Sequence, residues 1–162
     1  IPSIALISIG MAILLYLAEN LSRKRKELRK ISIKDGLLIG ISQILALIPG
    51  VSRSGITLTS ALFLGWKRKD AARFSFLLGI PAITFSGIAQ WQEAFTDNNY
   101  LNFPNGGLPL IVGIITAAIT SWITIDWLLK FLQRNGTWIF ILYRLLFGIL
   151  LIIWFLKNPA RI

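Results

Sequence analysis

The residues best suited to chemistry stand together in one stretch, Pro49-Gly50-Val51-Ser52-Arg53-Ser54-Gly55-Ile56-Thr57. Arginine presents a planar fork of donors that matches phosphate oxygens two at a time. Ser52 and Ser54 add hydroxyl donors. Pro49-Gly50 breaks any preceding helix, so a new helix starts at the serines. Its first free N–H groups then face the same point, which suits an anion. The chemistry implied is capture of a phosphate or carboxylate. The competing reading makes Arg53 the partner of a buried carboxylate, with Asp126 the nearest acid inside an apolar stretch, and makes the serines helix caps. Ser-Arg-Ser-Gly directly after Pro-Gly is too concentrated for capping alone. The motif says anion and leaves the reaction open.

The elements that position this motif are apolar. Of 162 residues, 55% are apolar and 15% charged, with a mean hydropathy of +0.70. A soluble domain has about 45–50% apolar and about 25% charged residues. The composition argues against a soluble enzyme and for an all-α integral membrane protein. A formal charge of +10 raises nucleic acid as a partner, but the basic residues lie between long apolar runs, the pattern of cytoplasmic loops, so no nucleic acid is expected. With no cysteine and no histidine, disulfides and thiolate metal sites are excluded, and the commonest general base and metal ligand is absent. The chain starts at Ile1-Pro2 without a basic n-region or a small-residue cleavage site, so the first run is not read as a signal peptide, and further sequence is expected upstream.

The apolar stretches are Ile1–Ala18, Gly36–Trp66, Ala71–Trp91, Leu108–Leu129 and Thr137–Leu156, with a polar loop over Gln92–Gly107 that holds Glu93 and Asp97 but no Lys or Arg. Thirteen of the 17 basic residues lie in three connections: Arg23–Lys34, Lys67–Arg73 and Lys130–Arg134. Cytoplasmic loops carry this excess, so all three belong on one side. The second stretch then starts and ends on that side. Gly36–Ile48 is 13 residues, about 20 Å of helix at about 1.5 Å per residue, too short for a hydrocarbon core of about 30 Å. Pro49 and Gly50 supply the turn. Residues 36–65 are therefore expected as a re-entrant helical hairpin with its tip near mid-membrane, rather than one kinked span. The whole of 1–162 reads as a single membrane domain of about four transmembrane helices plus this hairpin, both termini on the side opposite the basic loops. An arginine at that depth is a functional-site hypothesis by default.

Other residues point to structure. Asp126 and Arg144 fall at similar depth on neighbouring spans and are expected to pair. Gly36-xxx-Gly40 has the spacing of close helix packing. Trp66, Trp91, Trp138 and Trp154 fall where an aromatic belt would lie. The Arg23–Lys34 run reads as a cytoplasmic anchor, with binding of anionic lipid headgroups as the functional alternative.

The stretch Gly40-Ile-Ser-Gln43-Ile-Leu-Ala46-Leu-Ile-Pro49-Gly50-Val-Ser52-Arg53-Ser54-Gly55-Ile-Thr57 resembles the second signature of the bacterial undecaprenyl-diphosphate phosphatases, the bacitracin-resistance protein family. Ala72-Arg-Phe74-Ser75-Phe76-Leu77-Leu78-Gly-Ile80-Pro81 is similar to that family's next span, and Tyr143-Arg144 with Gly148 resembles its last. The resemblance implies an integral enzyme of the bacterial plasma (inner) membrane that hydrolyses undecaprenyl diphosphate to undecaprenyl phosphate and inorganic phosphate, recycling the lipid carrier of cell-wall synthesis and conferring bacitracin resistance. It implies a fold of two inverted repeats, each with a re-entrant hairpin. It places catalysis on Arg53, Ser52 and Ser54, and phosphate binding on Gly50, Ser52, Arg53, Ser54, Gly55 and Thr57. The partner it implies is a polyprenyl diphosphate lipid, with a homo-oligomer left open. The family's glutamate motif and Ser-Ser-Ser-Gly-His stretch have no counterpart in this sequence, which carries Gln43 and Leu47 where the first repeat has glutamates. The chain therefore resembles the C-terminal portion of such an enzyme, inactive alone. A divalent cation, Mg or Ca, would be held by the missing N-terminal half, with no metal ligands here. The rival reading from the same architecture is a polyprenyl-phosphate or anion transporter, a flippase that cleaves nothing.

Overall fold

A computed structural model describes residues 2–96 and 108–157. Among them are six α-helices: α1 (Pro2–Leu21), α2 (Ile33–Ser42), α3 (Arg53–Phe63), α4 (Arg68–Thr96), α5 (Leu108–Asn135) and α6 (Trp138–Lys157), with short 3₁₀ turns at Leu28–Lys30 and Gln43–Leu47. Four segments are long and apolar enough to cross a membrane: α1, the Arg68–Gln90 part of α4, α5 and α6. The architecture is that of an all-α membrane protein. Gln92–Thr96, expected in a polar loop, continue α4. The rest of that loop, with Asp97, lies outside the described residues, as do the side chains of Trp91 and Glu93.

The second apolar stretch folds back on itself. Ser32 caps α2 by accepting the Asp35 N–H at 3.1 Å, and the helix tightens into 3₁₀ geometry over Gln43–Leu47 before Pro49. Gly50 then takes φ +100°, a conformation that suits glycine alone, and a β-carbon there would meet the Ile4 carbonyl oxygen at 3.1 Å. Ser52 starts α3. At the open end the strands of chain meet again: Arg25 and Lys26 both donate backbone N–H groups to the Gly65 carbonyl at 2.9 Å, and Lys67 N–H donates to Lys26 O at 2.9 Å. The two basic connections are thus adjacent, as their charge required. The apex reaches farther than the middle of its neighbour, because it sits against Ile4 in the first turn of α1. Arg53, not the apex, lies at mid-height, beside Gly79 and roughly midway along Arg68–Gln90.

Asp35 ties the two arms. Its carboxylate accepts from Lys26 Nζ at 2.9 Å and from Trp66 Nε1 at 3.2 Å. Trp66, expected in an aromatic belt, is instead fully buried; the indole N–H has a carboxylate to meet inside, which removes its reason to seek the interface. Trp138 and Trp154 remain exposed. Burial pushes the Asp35 carboxyl up, but the hydrogen bonds from Lys26 and Trp66 and the Lys26 charge more than offset it, so it sits below its ordinary 3.8. A lowered folded pKa gives stability that is complete above 3.8 and is lost as pH falls through the folded value. The thermal midpoint in detergent is expected to drop as pH falls below 3.8, and Asp35→Asn to lower the midpoint at neutral pH while flattening part of that drop. An unchanged pH profile in Asp35→Asn would count against this bond.

The buried core groups Ala12, Leu15 and Ala18 of α1 with Ile39, Ala61, Leu62, Trp66, Ala71 and Ile141, toward the basic end. Four of these nine are alanines, which let the helices approach closely. α1 and α6 run antiparallel: Ser8 donates to Arg144 O at 3.3 Å, Tyr16 meets Trp138 edge-on at 5.3 Å, and Thr137 bonds Glu19 at 2.8 Å. Their closest approach is at Gly148, where a β-carbon would lie 2.6 Å from Ile9 Cγ1 and 3.1 Å from Ala5 O. The Gly36-xxx-Gly40 pair does not do this. A β-carbon at Gly40 would meet nothing within 4 Å, and one at Gly36 only Ile31 at 3.7 Å, so among the described residues no helix comes close to either glycine. Gly148→Ala is expected to destabilise by about 1–3 kcal/mol through overpacking. Gly113→Ala, with nothing within 4 Å, should leave the thermal midpoint unchanged or raise it.

Candidate functional site

The site grows from the first turn of α3. Ser52 caps the helix, its Oγ accepting the Gly55 N–H at 3.2 Å, and Ser54 Oγ lies 3.4 Å from Ser52 Oγ. So the capping reading of Ser52 holds, and Ser54 is the more exposed hydroxyl of the two. The remaining N–H groups of this turn and the positive end of the helix dipole favour an anion.

Arg144 was expected to pair with Asp126. It does not. Asp126 accepts from Lys130 at 2.6 Å, one helical turn along its own exposed face, which is the nearest base for an (i, i+4) partner. Arg144 points elsewhere: its Nη2 lies 3.3 Å from where a β-carbon at Gly55 would stand. The absence of a side chain at Gly55 lets the guanidinium reach the start of α3. The same occupation of Asp126 by Lys130 answers the reading of Arg53 as its ion-pair partner. Arg53 is partly buried and its Nη2 is 3.5 Å from the corresponding point on Gly79. Among the described residues neither arginine has a carboxylate partner.

Two cavities meet at this turn. One, of about 110 Å³, is lined on its polar side by Ser52, Ser54, Gly55, Ser75 and Arg144, and on its apolar side by residues such as Leu15 and Phe140. The other holds Arg53 with Gly79 and the α5 hydroxyls Thr120, Ser121 and Thr124. Ser54 and Ser75 line both. Ser75 is the residue that sequence reasoning passed over; it lay within the quoted resemblance but outside the motif. Its Oγ is 2.6 Å from Thr57 Oγ1 and donates to Ser54 O at 3.3 Å. Thr57 is buried, donates to Arg53 O at 2.9 Å, and lines neither cavity. It lies beneath the phosphate-binding position expected of it and holds Ser75 and the Arg53 backbone in place. Gly50 shapes the turn and also lines neither cavity.

The donor set, two guanidinium groups with the hydroxyls of Ser52 and Ser54, fits phosphate oxygens. It does not fit a divalent cation, which needs oxygen anions around it. No group of three or more His, Cys, Asp or Glu that could hold a metal occurs among the described residues.

The sequence profile of the family described as "Bacitracin resistance protein BacA" matches residues 1–150. The chain belongs to that family. As a member of the bacitracin resistance protein family it is a multi-pass membrane protein, with four spans among the described residues. The chain is 59% identical over 161 residues to the undecaprenyl-diphosphatase of Synechococcus sp. (strain WH7803) and 56% identical over 161 residues to that of Prochlorococcus marinus (strain MIT 9303). Both matches cover 99% of this chain, and 55% and 54% of the respective relatives. The undecaprenyl-diphosphatase of Parasynechococcus marenigrum (strain WH8102) is 56% identical over the same length, which is 55% of it. The chain thus spans about half the length of the curated relatives it matches.

Proposed function

We propose that this chain supplies the phosphate-holding half of an enzyme that hydrolyses undecaprenyl diphosphate to undecaprenyl phosphate and inorganic phosphate. That activity would recycle the lipid carrier of cell-wall synthesis in the bacterial plasma membrane and confer resistance to bacitracin. The observation that carries the reading is the convergence of Arg53, Arg144 and the α3 N-terminus on cavities that share Ser54 and Ser75, in a chain whose relatives are named for that substrate.

In the reaction, water adds to the terminal phosphorus, the bridging P–O bond breaks, and the polyprenyl phosphate leaves with the electron pair. Charge accumulates on the phosphate oxygens, and positioned cations and N–H groups stabilise it. Arg53 and Arg144 neutralise these oxygens, the first turn of α3 orients them, and Ser54 donates where the two cavities meet, its backbone carbonyl held by the Ser75 hydroxyl. The polyprenyl tail lies against the apolar helices. The chain has no histidine, and among the described residues Glu19, Glu27, Asp35 and Asp126 are held by bases elsewhere, while Asp70 stands in the first turn of α4 and lines neither cavity, so none of these is placed to act as general base. We assign it to the part of the relatives that this chain does not span, together with the carboxylates for a divalent cation, Mg or Ca. Residues 36–65 serve as the re-entrant element that brings Arg53 to mid-membrane.

The test is phosphate release from undecaprenyl diphosphate in detergent, by a protein of the relatives' full length and by residues 1–162 alone. The full-length protein is expected to release phosphate and the chain alone to release none. Tight binding without release by the full-length protein would favour the transporter reading. Robust turnover by residues 1–162 would overturn the assignment of the base to the other part.

A further inference from the structure

The basic end of the molecule is not evenly charged: of its carboxylates, Glu19, Glu27 and Asp35 are taken by basic partners, and Asp70 lies in the first turn of α4. Glu19, almost fully buried, accepts from Lys24 and Arg68; Asp35 accepts from Lys26; Glu27 accepts from Lys67. Lys24 has a positive φ of 46°, unusual for a residue with a side chain, and its ammonium lies 2.5 Å from Glu19. The residues on either side of it, Arg23 and Arg25, are exposed, and neither has an ion-pair partner among the described residues.

Arg23 and Arg25 line a cleft of about 370 Å³ between the end of α1 and the end of α3, together with Ser22, Leu21, Phe63 and Gly65. The Gly65 carbonyl, the acceptor facing this segment, is taken by the N–H groups of Arg25 and Lys26. What the cleft offers is two unpaired guanidinium groups, a hydroxyl, and an apolar wall in which Leu21 is 71% and Phe63 46% exposed. It lies where the apolar stretch of α1 ends, which is the level of the membrane surface.

We infer that this cleft is a binding site for an anionic phospholipid of the leaflet on the basic side. Arg23 and Arg25 hold the headgroup phosphate, and Leu21 and Phe63 contact the first carbons of an acyl chain. A soluble phosphate would match the guanidinium groups and leave Leu21 and Phe63 without a role. The site is separate from the cavities at Arg53 and Arg144, and its failure would not touch the proposed reaction.

The experiment is a lipid titration followed by native mass spectrometry, on the delipidated protein at the relatives' full length. The probes are phosphatidylglycerol, phosphatidylcholine and glycerol 3-phosphate. The double variant R23Q/R25Q is expected to weaken phosphatidylglycerol binding about tenfold or more, at about 1 kcal/mol per basic residue near an anionic surface, and to leave phosphatidylcholine unchanged. The double variant K69Q/R73Q removes the same charge outside the cleft and is expected to weaken it far less. Leu21→Ser with Phe63→Ser should weaken the lipid without altering glycerol 3-phosphate. Equal losses in the two charge doubles would overturn the site in favour of diffuse charge. Glycerol 3-phosphate binding as tightly as the lipid would overturn it in favour of a soluble phosphate.

Discussion

Arg53→Ala is expected to lower phosphate release by the full-length protein about 100-fold or more, the scale of removing one electrostatic donor to the transition state. The folded yield should stay near that of the parent, since Arg53 has no carboxylate partner to strand among the described residues. Arg53→Lys keeps the charge but loses the two-pronged geometry, so it should recover only part of the rate. Arg144→Ala should act in the same direction, because its guanidinium lies at the other side of the same helical turn. The serines separate by role. Ser54→Ala should reduce the rate modestly, a neutral donor being weaker than a charged one. Ser52→Ala should in addition cost about 1 kcal/mol of stability, because the cap of α3 goes with it. Adding Asp126→Ala to Arg53→Ala should restore nothing, since Asp126 is bonded to Lys130. Rescue of yield and rate by that double, or a loss of folded protein in Arg53→Ala alone, would move Arg53 to a structural role.

The largest effect on stability is expected at Glu19. Its buried carboxylate joins four parts of the chain: α1 itself, Lys24 of the first connection, Arg68 at the start of α4, and Thr137 in the turn before α6, which donates at 2.8 Å. Removing one member of a buried ion pair costs about 3–5 kcal/mol. Arg68 and Lys24 keep some exposure, 32% and 22% of their side chains, and can turn to water, so Glu19→Ala should fall toward the lower end of that range. The thermal midpoint and monodisperse yield in detergent are the measurements. Glu19→Ala with Arg68→Ala should recover part of the loss. A midpoint within error of the parent would refute the role given to Glu19.

Much of this could be read from residue order. The spans follow from apolar runs, although the helices outlast them. α5 continues past the expected end at Leu129 to Asn135, because Lys130, Gln133 and Arg134 are good helix formers that can stay in water. The turn-back was visible in Pro49-Gly50 between two basic connections, and the start of α3 in Ser52-Arg53-Ser54. What stayed hidden were partners set by tertiary approach. Ser75 meets Thr57 across two helices, and Arg144 meets Gly55 from the far end of the chain. Neither meeting leaves a local period. The Asp126–Arg144 expectation used depth alone, which ignores rotation about the helix axis, and a lysine one turn away was the nearer base. The Trp66 expectation used position near a charged segment, and missed that Asp35 waits inside.

The backbone contacts between Lys26 and Gly65 and between Lys67 and Lys26 have a consequence for the order of assembly. They close a loop of roughly forty residues, which costs about 3 kcal/mol of chain entropy before anything inside it is packed. α1 ends and α4 begins at that closure, so these two can enter the bilayer as ordinary spans of opposite direction with the intervening segment still outside. Ser32–Phe63 must then slip in between them afterwards, apex first, until Gly50 stops against Ile4. Arg53 would then reach its place beside Gly79 late, between helices that formed before it arrived.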